Sequence, residues 1–446
     1  MEQQDTIIHN GLLLTMDREA RILPHHSIRI IDGIIQEILP VESSKDDHGI
    51  RVINASGSLV MPGFINCHTH AAMTLLRGFA DDKPLHEWLS DYIWPAEAVF
   101  MNRENIALGT RLAILEMIAS GTVMFSDMYF FEDEVARACE EAGMRVLLGE
   151  GLLGNHTPHF TTPYQGIDFT ETLAEQYKNH SLIEVAYAPH AVYTCPREIL
   201  SEVALRSEKN HLPVHIHLAE TAEEVENCIA STGKHPVDYL DEIGLLDQRL
   251  IAAHVVHVEE EHLKLLTHKG VRIAHNPSSN LKLNSGFPPI HKQIQYKIPL
   301  GLGTDGAGSN NNLSIPVEMR HTALVDRLLH QNRESDQAFQ IVKMATIGGA
   351  KVLGADQITG SLEAGKAADL IIIPLDKPHL QPIYNIYSTL VFSLHSSDID
   401  TVMINGKIVM KDRKILTLDE ESLLKDLKRV AGDIREKFKM KNHLAY

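Results

Sequence analysis

The sequence predicts an α/β protein: a (β/α)8 TIM barrel with a small β-sandwich domain formed by both chain ends. Two observations carry this. Over residues 61–360, short apolar runs alternate with helical stretches about eight times, the rhythm of parallel strands joined by crossover helices. Residues 1–60 and 361–418 read instead as short strands joined by tight turns, and a charged C-terminal helix is expected within 419–446.

The elements follow in order. Residues 6–8, 11–14, 27–30 and 34–38 are strands punctuated by Gly11, Asp32-Gly33 and Gly57, and Asp-Gly is a strong hairpin signal. The first barrel strand ends in Cys67-His68-Thr69-His70. Seven more apolar runs follow at 123–125, 146–148, 185–187, 214–217, 251–253, 271–273 and 299–302, with helical stretches such as 106–120 and 132–142 between them. The strand pattern then returns at 369–373, 401–404 and 407–410, with Asn405-Gly406 as a second hairpin turn. Residues 420–439 read as a charged helix.

Composition removes several function classes. Among 446 residues, 41 are basic and 59 acidic, a net charge of −18 that disfavours nucleic acid or an anionic membrane as partner. The four cysteines include no CxxC pair, so neither a disulfide framework nor a zinc ribbon is expected, which fits a reducing compartment. The polar start does not resemble a signal peptide, and no apolar run approaches the roughly 20 residues of a membrane span. A cytoplasmic, homo-oligomeric protein acting on a small molecule is expected.

Histidine is the unusual residue, with 26 copies. At that abundance chance alone yields about 1.5 His-x-His pairs, so the two present, His68/His70 and His215/His217, mean little without their context. That context is the C-terminal end of barrel strands, where barrel active sites form. His68 and His70, two apart on a strand, point to the same side. His217 lies nearer its strand end than His215, which reads as a packed layer residue, and Glu220 follows. His254 ends a later strand, and Gly303-Thr304-Asp305 delivers a carboxylate to the rim. These side chains supply three imidazoles and a carboxylate, with one histidine and Glu220 to spare. Such a set suits zinc or another divalent transition ion. Two phosphate-loop look-alikes fail. The GxGxxG of Gly301–Gly306 carries an Asp that would face a pyrophosphate, and the stretch 360–367 lacks the closing Ser/Thr.

The blocks PGFINCHTHAAMTLLRG, HIHLAET, AHVVHV, HNPSSNLKL, GLGTDGAGSNN and GSLEAGKAADLII together resemble the amidohydrolase superfamily over essentially the whole chain. Within it, the sequence is most similar to the methylthioadenosine/S-adenosylhomocysteine deaminases and their triazine chlorohydrolase neighbours. The resemblance implies His68, His70, His217 and Asp305 as ligands of one divalent ion, Zn2+ before Fe2+ or Mn2+. A bridging lysine is absent from the fourth strand, Ala186-Tyr187-Ala188-Pro189-His190. It implies Glu220, His254 and Asp305 as catalytic groups: Asp305 takes a proton from water, His254 holds that water, and Glu220 protonates the ring nitrogen beside the attacked carbon. The implied substrate contacts are Glu97 at the ribose, His190 near the purine, Glu220, and Trp88 against the 5′ substituent. Carboxylate-tolerant members usually carry an arginine near the end of the third strand, where this chain has Glu150. Glu150 is therefore expected to face the nucleoside and disfavour S-adenosylhomocysteine. The activity implied is deamination of adenine nucleosides. The alternative is removal of an amine or chloride from another N-heterocycle (triazine, guanine or pterin).

Overall fold

The structure, a computed structural model, describes residues 4–43, 50–81, 83–330 and 336–438. The N-terminal strands are β1 (Thr6–Leu14), β2 (Ile22–Ile31), β3 (Ile34–Pro40), β4 (Arg51–Asn54) and β5 (Ser58–Pro62). Residues 6–8 and 11–14 belong to one strand rather than two. A register shift between Ile8 and Gly11, with Asn10 at φ 59°, bends it without ending it.

Eight parallel strands follow: β6 (Phe64–Thr69), β7 (Thr122–Asp127), β8 (Arg145–Leu152), β9 (Ile183–Pro189), β10 (Val214–Leu218), β11 (Leu250–His254), β12 (Arg272–His275) and β13 (Leu300–Leu302). They pair in sequence order. Helices such as Arg103–Ala119, Glu132–Ala142 and Pro163–Gln176 cross back between strands. Ile65, Cys67, Met124, Leu147, Ala186, Ile251 and Ala274 pack together inside the barrel, joined by Ala350, Val352 and Leu353 from the helix Gly349–Leu353.

The last seam, β13 against β6, is closed by side chains and strand ends rather than a ladder. Thr304 N–H donates to Asn66 Oδ1 at 3.0 Å, Asn66 Nδ2 donates to Thr304 Oγ1 at 2.7 Å, and Asp305 N–H donates to His68 O at 2.9 Å. The glycines of the apparent dinucleotide pattern permit this approach. A Cβ on Gly301 would lie 2.3 Å from Cys67 Sγ, and one on Gly303 would lie 2.9 Å from His68 N.

The remaining strands are β14 (Leu370–Pro374), β15 (Thr401–Ile404), β16 (Lys407–Lys411) and β17 (Lys414–Ile415). They join the N-terminal strands in one mixed sheet, ordered β17-β16-β15-β14-β5-β1-β2-β3, with β4 beside β1. The parts contributed by the two chain ends share a core that includes Ile8, Ile28, Ile35, Val60, Leu370 and Met403. Both hairpin turns carry two positive φ values, 49° and 79° at Asp32-Gly33 and 49° and 73° at Asn405-Gly406, as tight right-twisted hairpins require. The helix Glu420–Lys437 starts with Asp419 accepting from Ser422 N–H and buries Leu423, Val430 and Ile434. Lys439 lies outside the described residues. All four cysteines are buried and free, and no helix among the described residues is long and apolar enough to cross a membrane.

Candidate active site

β6 delivers His68 and His70 to the C-terminal mouth of the barrel, β10 delivers His217, and the turn after β13 delivers Asp305. Their ligating atoms all lie within 4.8 Å of one another. Hydrogen bonds set the tautomers. His70 Nδ1–H donates to Met128 O at 2.5 Å and His217 Nδ1–H to His190 O at 2.7 Å. A carbonyl can only accept, so both Nε2 atoms carry lone pairs, and these face each other at 3.3 Å. His68 Nδ1 lies 3.0 Å from His215 Nε2, and His215 Nδ1 lies 3.0 Å from Ser126 Oγ. His215 is thus packed inside the barrel as expected, but it also orients His68.

Asp305 Oδ1 lies 3.0 Å from His70 Nε2 and 3.4 Å from His68 Nε2. Its other oxygen accepts from Ser279 Oγ at 2.6 Å and Ser309 Oγ at 2.7 Å. Three of the donor spacings, 3.0, 3.3 and 3.4 Å, lie near the roughly 3.3–3.6 Å edges of a tetrahedral site with bonds of about 2.0–2.2 Å. Two converging imidazole lone pairs and a carboxylate, all desolvated, need a cation among them, so the donor set fits a divalent ion. The protonation preferences divide: a proton on His70 takes the place of a cation beside Asp305, while His68 and His217 stay neutral. Burial works against a charged His70, yet the Asp305 carboxylate raises it to about 9. Burial holds His68 down at about 4 and His217 well below the usual imidazole range. Burial would raise Asp305, but hydrogen bonds to His68 and His70 hold it well below an ordinary carboxylate.

The strand ends bearing these groups are strained. Ala219, His254 and Asp305 have φ values of 49°, 72° and 59°, a left-handed backbone costing roughly 1–3 kcal/mol at each non-glycine residue. Hydrogen bonds across the mouth hold it, including Val255 N–H to Leu218 O and Val256 N–H to Ala219 O.

Glu220 Oε1 accepts from Ser285 Oγ at 3.0 Å, and Oε2 lies 3.8 Å from His254 Nε2. Burial first, then the nearby Asp305 charge, push Glu220 above the ordinary carboxylate range against the pull of His254. His254 Nδ1–H donates to Asn280 Oδ1 at 2.7 Å, which leaves a buried Nε2 without a hydrogen-bond partner. Glu224 accepts from the backbone N–H groups of Ala219 and Glu220 at 2.9 and 2.7 Å and so pins the Glu220 turn.

Glu97, Trp88 and His190 line the same cavity as His70, His217, Glu220, His254 and Asp305. Glu97 accepts from Tyr129 O–H at 2.6 Å, and burial lifts it to about 7. His190 Nδ1 lies 2.9 Å from Thr194 Oγ1, and burial lowers it to about 3. Gly308 gives Trp88 its room, since a Cβ there would lie 3.1 Å from the indole and 2.9 Å from Met73 Cε.

Glu150 does not belong to this group, and that expectation is corrected. On β8 it is Gly149 and Gly151 that turn toward the barrel axis, Gly151 forming part of the cavity wall, so Glu150 points to the opposite face. There its carboxylate pairs with His159 at 3.0 Å and accepts from Glu132 N–H at 3.1 Å. Sequence reasoning also missed Tyr129, Ser279, Asn280, Ser285 and Ser309. Ser279, Asn280 and Ser309 stand inside the blocks HNPSSNLKL and GLGTDGAGSNN, so a request for partners to Asp305 and His254 would have found them.

A parallel barrel with three imidazoles and a carboxylate converging at its mouth defines a metal-dependent barrel hydrolase. Residues 59–409 match the model of the amidohydrolase family, and the chain belongs to that family. It is 42% identical over 440 residues to a 5-methylthioadenosine/S-adenosylhomocysteine deaminase of Syntrophus aciditrophicus, covering 98% of this chain and 99% of the relative. It is 42% identical to a 5′-deoxyadenosine deaminase of Methanosphaera stadtmanae, covering 92% and 95%. Among solved structures it resembles an adenosine deaminase from Xanthomonas campestris with bound zinc, at 34% identity and TM-score 0.95, covering 97% and 99%.

Proposed function

We propose that the chain hydrolyses the 6-amino group of adenine nucleosides, giving the inosine analogue and ammonia, with one zinc ion per chain held by His68, His70, His217 and Asp305. The observation that carries this reading is the cavity itself. The imidazoles, Glu220 and Asp305 share the cavity with a further buried carboxylate, Glu97, and with apolar lining that includes Trp88, Trp94 and Phe130. A purine needs an apolar slot, and a ribose diol needs an acceptor. A triazine, guanine or pterin offers Glu97 no diol. The named relatives support the same substrate class.

A divalent ion in this site supplies the Lewis acidity that makes water nucleophilic at neutral pH. Asp305 takes a proton from the attacking water through Oδ1, while Ser279 and Ser309 keep Oδ2 occupied. His254, its Nδ1 tied to Asn280, orients that water through Nε2. Glu220 donates to N1 as water adds at C6, so the ring accepts the electron pair without building negative charge. Asp305 then passes its proton to the departing amine, and Glu220 takes the hydroxyl proton. The tetrahedral carbon collapses to the carbonyl, ammonia leaves, and both carboxyl groups return to their starting state. His190, its Nδ1 2.9 Å from Thr194 Oγ1, turns Nε2 toward the purine. Trp88 packs against the 5′ group.

Loss of adenine absorbance tests the reading on adenosine, 5′-deoxyadenosine and methylthioadenosine, with guanine and a chlorotriazine as competitors. Turnover confined to the adenine nucleosides is expected. Activity only on guanine or the triazine would overturn it.

A further inference from the structure

We infer that the substrate's 5′ side is selected by charge: the chain accepts neutral 5′ substituents and discriminates against a tail ending in a carboxylate. This rests on the nucleoside reading above. Among the described residues, no lysine or arginine lines the cavity. Its acidic side chains are Glu97, Glu220 and Asp305. Leu85, Leu89, Tyr193 and Leu283 line both this cavity and a wider outer groove, so a 5′ tail too long for the cavity passes between these four side chains.

The outer groove does contain cations, but each already has a carboxylate. Lys83 pairs with Glu87 at 2.7 Å, Arg197 with Glu242 at 2.8 Å, and Lys282 with Asp81 at 2.6 Å. Lys282 is further held by Gly308 O at 3.2 Å and by Asn311. Glu223, by contrast, is exposed on the groove and forms no ion pair among the described residues. A carboxylate carried outward therefore loses water in an apolar passage and emerges beside an uncompensated negative charge. The cations it meets there are already neutralised by their own carboxylates, so they offset little of that cost. A methylthio or methyl group meets none of these costs, and an ammonium meets a favourable charge in Glu223.

The test compares kcat/KM for methylthioadenosine, S-adenosylhomocysteine, and an analogue of the latter that keeps the thioether and amine but lacks the carboxylate. S-adenosylhomocysteine is expected to fall about tenfold or more below methylthioadenosine, with the analogue recovering most of the loss. Glu223→Lys should raise the ratio of S-adenosylhomocysteine to methylthioadenosine turnover several-fold. Taken within one preparation, that ratio is independent of the folded fraction. An analogue as poor as S-adenosylhomocysteine would replace charge by size and overturn the inference. So would S-adenosylhomocysteine matching methylthioadenosine. Failure of all three nucleosides would instead remove the nucleoside reading, and this inference with it.

Discussion

At the N-terminal end of the barrel, Arg145 and Asp369 are almost fully buried and leave nothing unpaired. Their atoms meet at 3.0–3.4 Å, Arg145 also donates to Ser181 O at 2.5 Å, and Asp369 accepts from Asn405 N–H at 2.6 Å. At the C-terminal mouth, Asp305 is also buried, yet the groups that face it are imidazoles whose ligating atoms converge with its own within 4.8 Å. Buried His254 Nε2 has no hydrogen-bond partner. One end spends buried charge on joining the barrel to the mixed sheet. The other keeps donors free for a cation and a substrate. The difference locates function on one face of a fold whose strands run through both.

Substitutions at the two ends should therefore fail differently. Glu220→Gln should lower kcat by about 10²–10⁴-fold while metal content, measured by elemental analysis, stays at the wild-type level. Metal loss in that variant would mean that Glu220 is part of the ion site. Asp369→Ala strands Arg145 in the interior and should cost about 3–5 kcal/mol in chemical denaturation, with kcat of the folded enzyme unchanged. A fall in kcat without a change in stability would erase the contrast between the ends. Ser279→Ala removes one of two hydroxyls on Asp305 and should cost about 1 kcal/mol, read as a several-fold drop in kcat. The smallest effect is in the pH profile. Burial raises the pKa of Glu220, so if it is the proton donor proposed, kcat/KM should fall as pH rises through a value above that of an ordinary glutamate. Glu220→Gln should remove that limb.

Most of the fold was legible because strand and helix periods differ and because Asp-Gly and Asn-Gly turns announce hairpins. The cluster of His68, His70, His217 and Asp305 was legible in part because strand ends gave the histidine pairs a context, and the family resemblance singled out these four. Glu150 was not. On a strand, one residue decides between the barrel axis and the helices, and the flanking glycines Gly149 and Gly151 carry no side chain to mark the inward face. The roles of His215 and Ser279 were hidden for another reason. Each acts across the barrel mouth rather than along one strand: His215 stands 147 positions after His68, and Ser279, in the segment after β12, reaches Asp305, which follows the neighbouring strand β13.

The central claim is that the unpaired donors at the mouth form an ion site. Metal content per chain tests it most directly in the wild type, Asp369→Ala and His217→Ala, purified in parallel. One divalent ion per chain is expected in the first two and far less in His217→Ala. Equal metal in all three, or none in the active wild type, would contradict it.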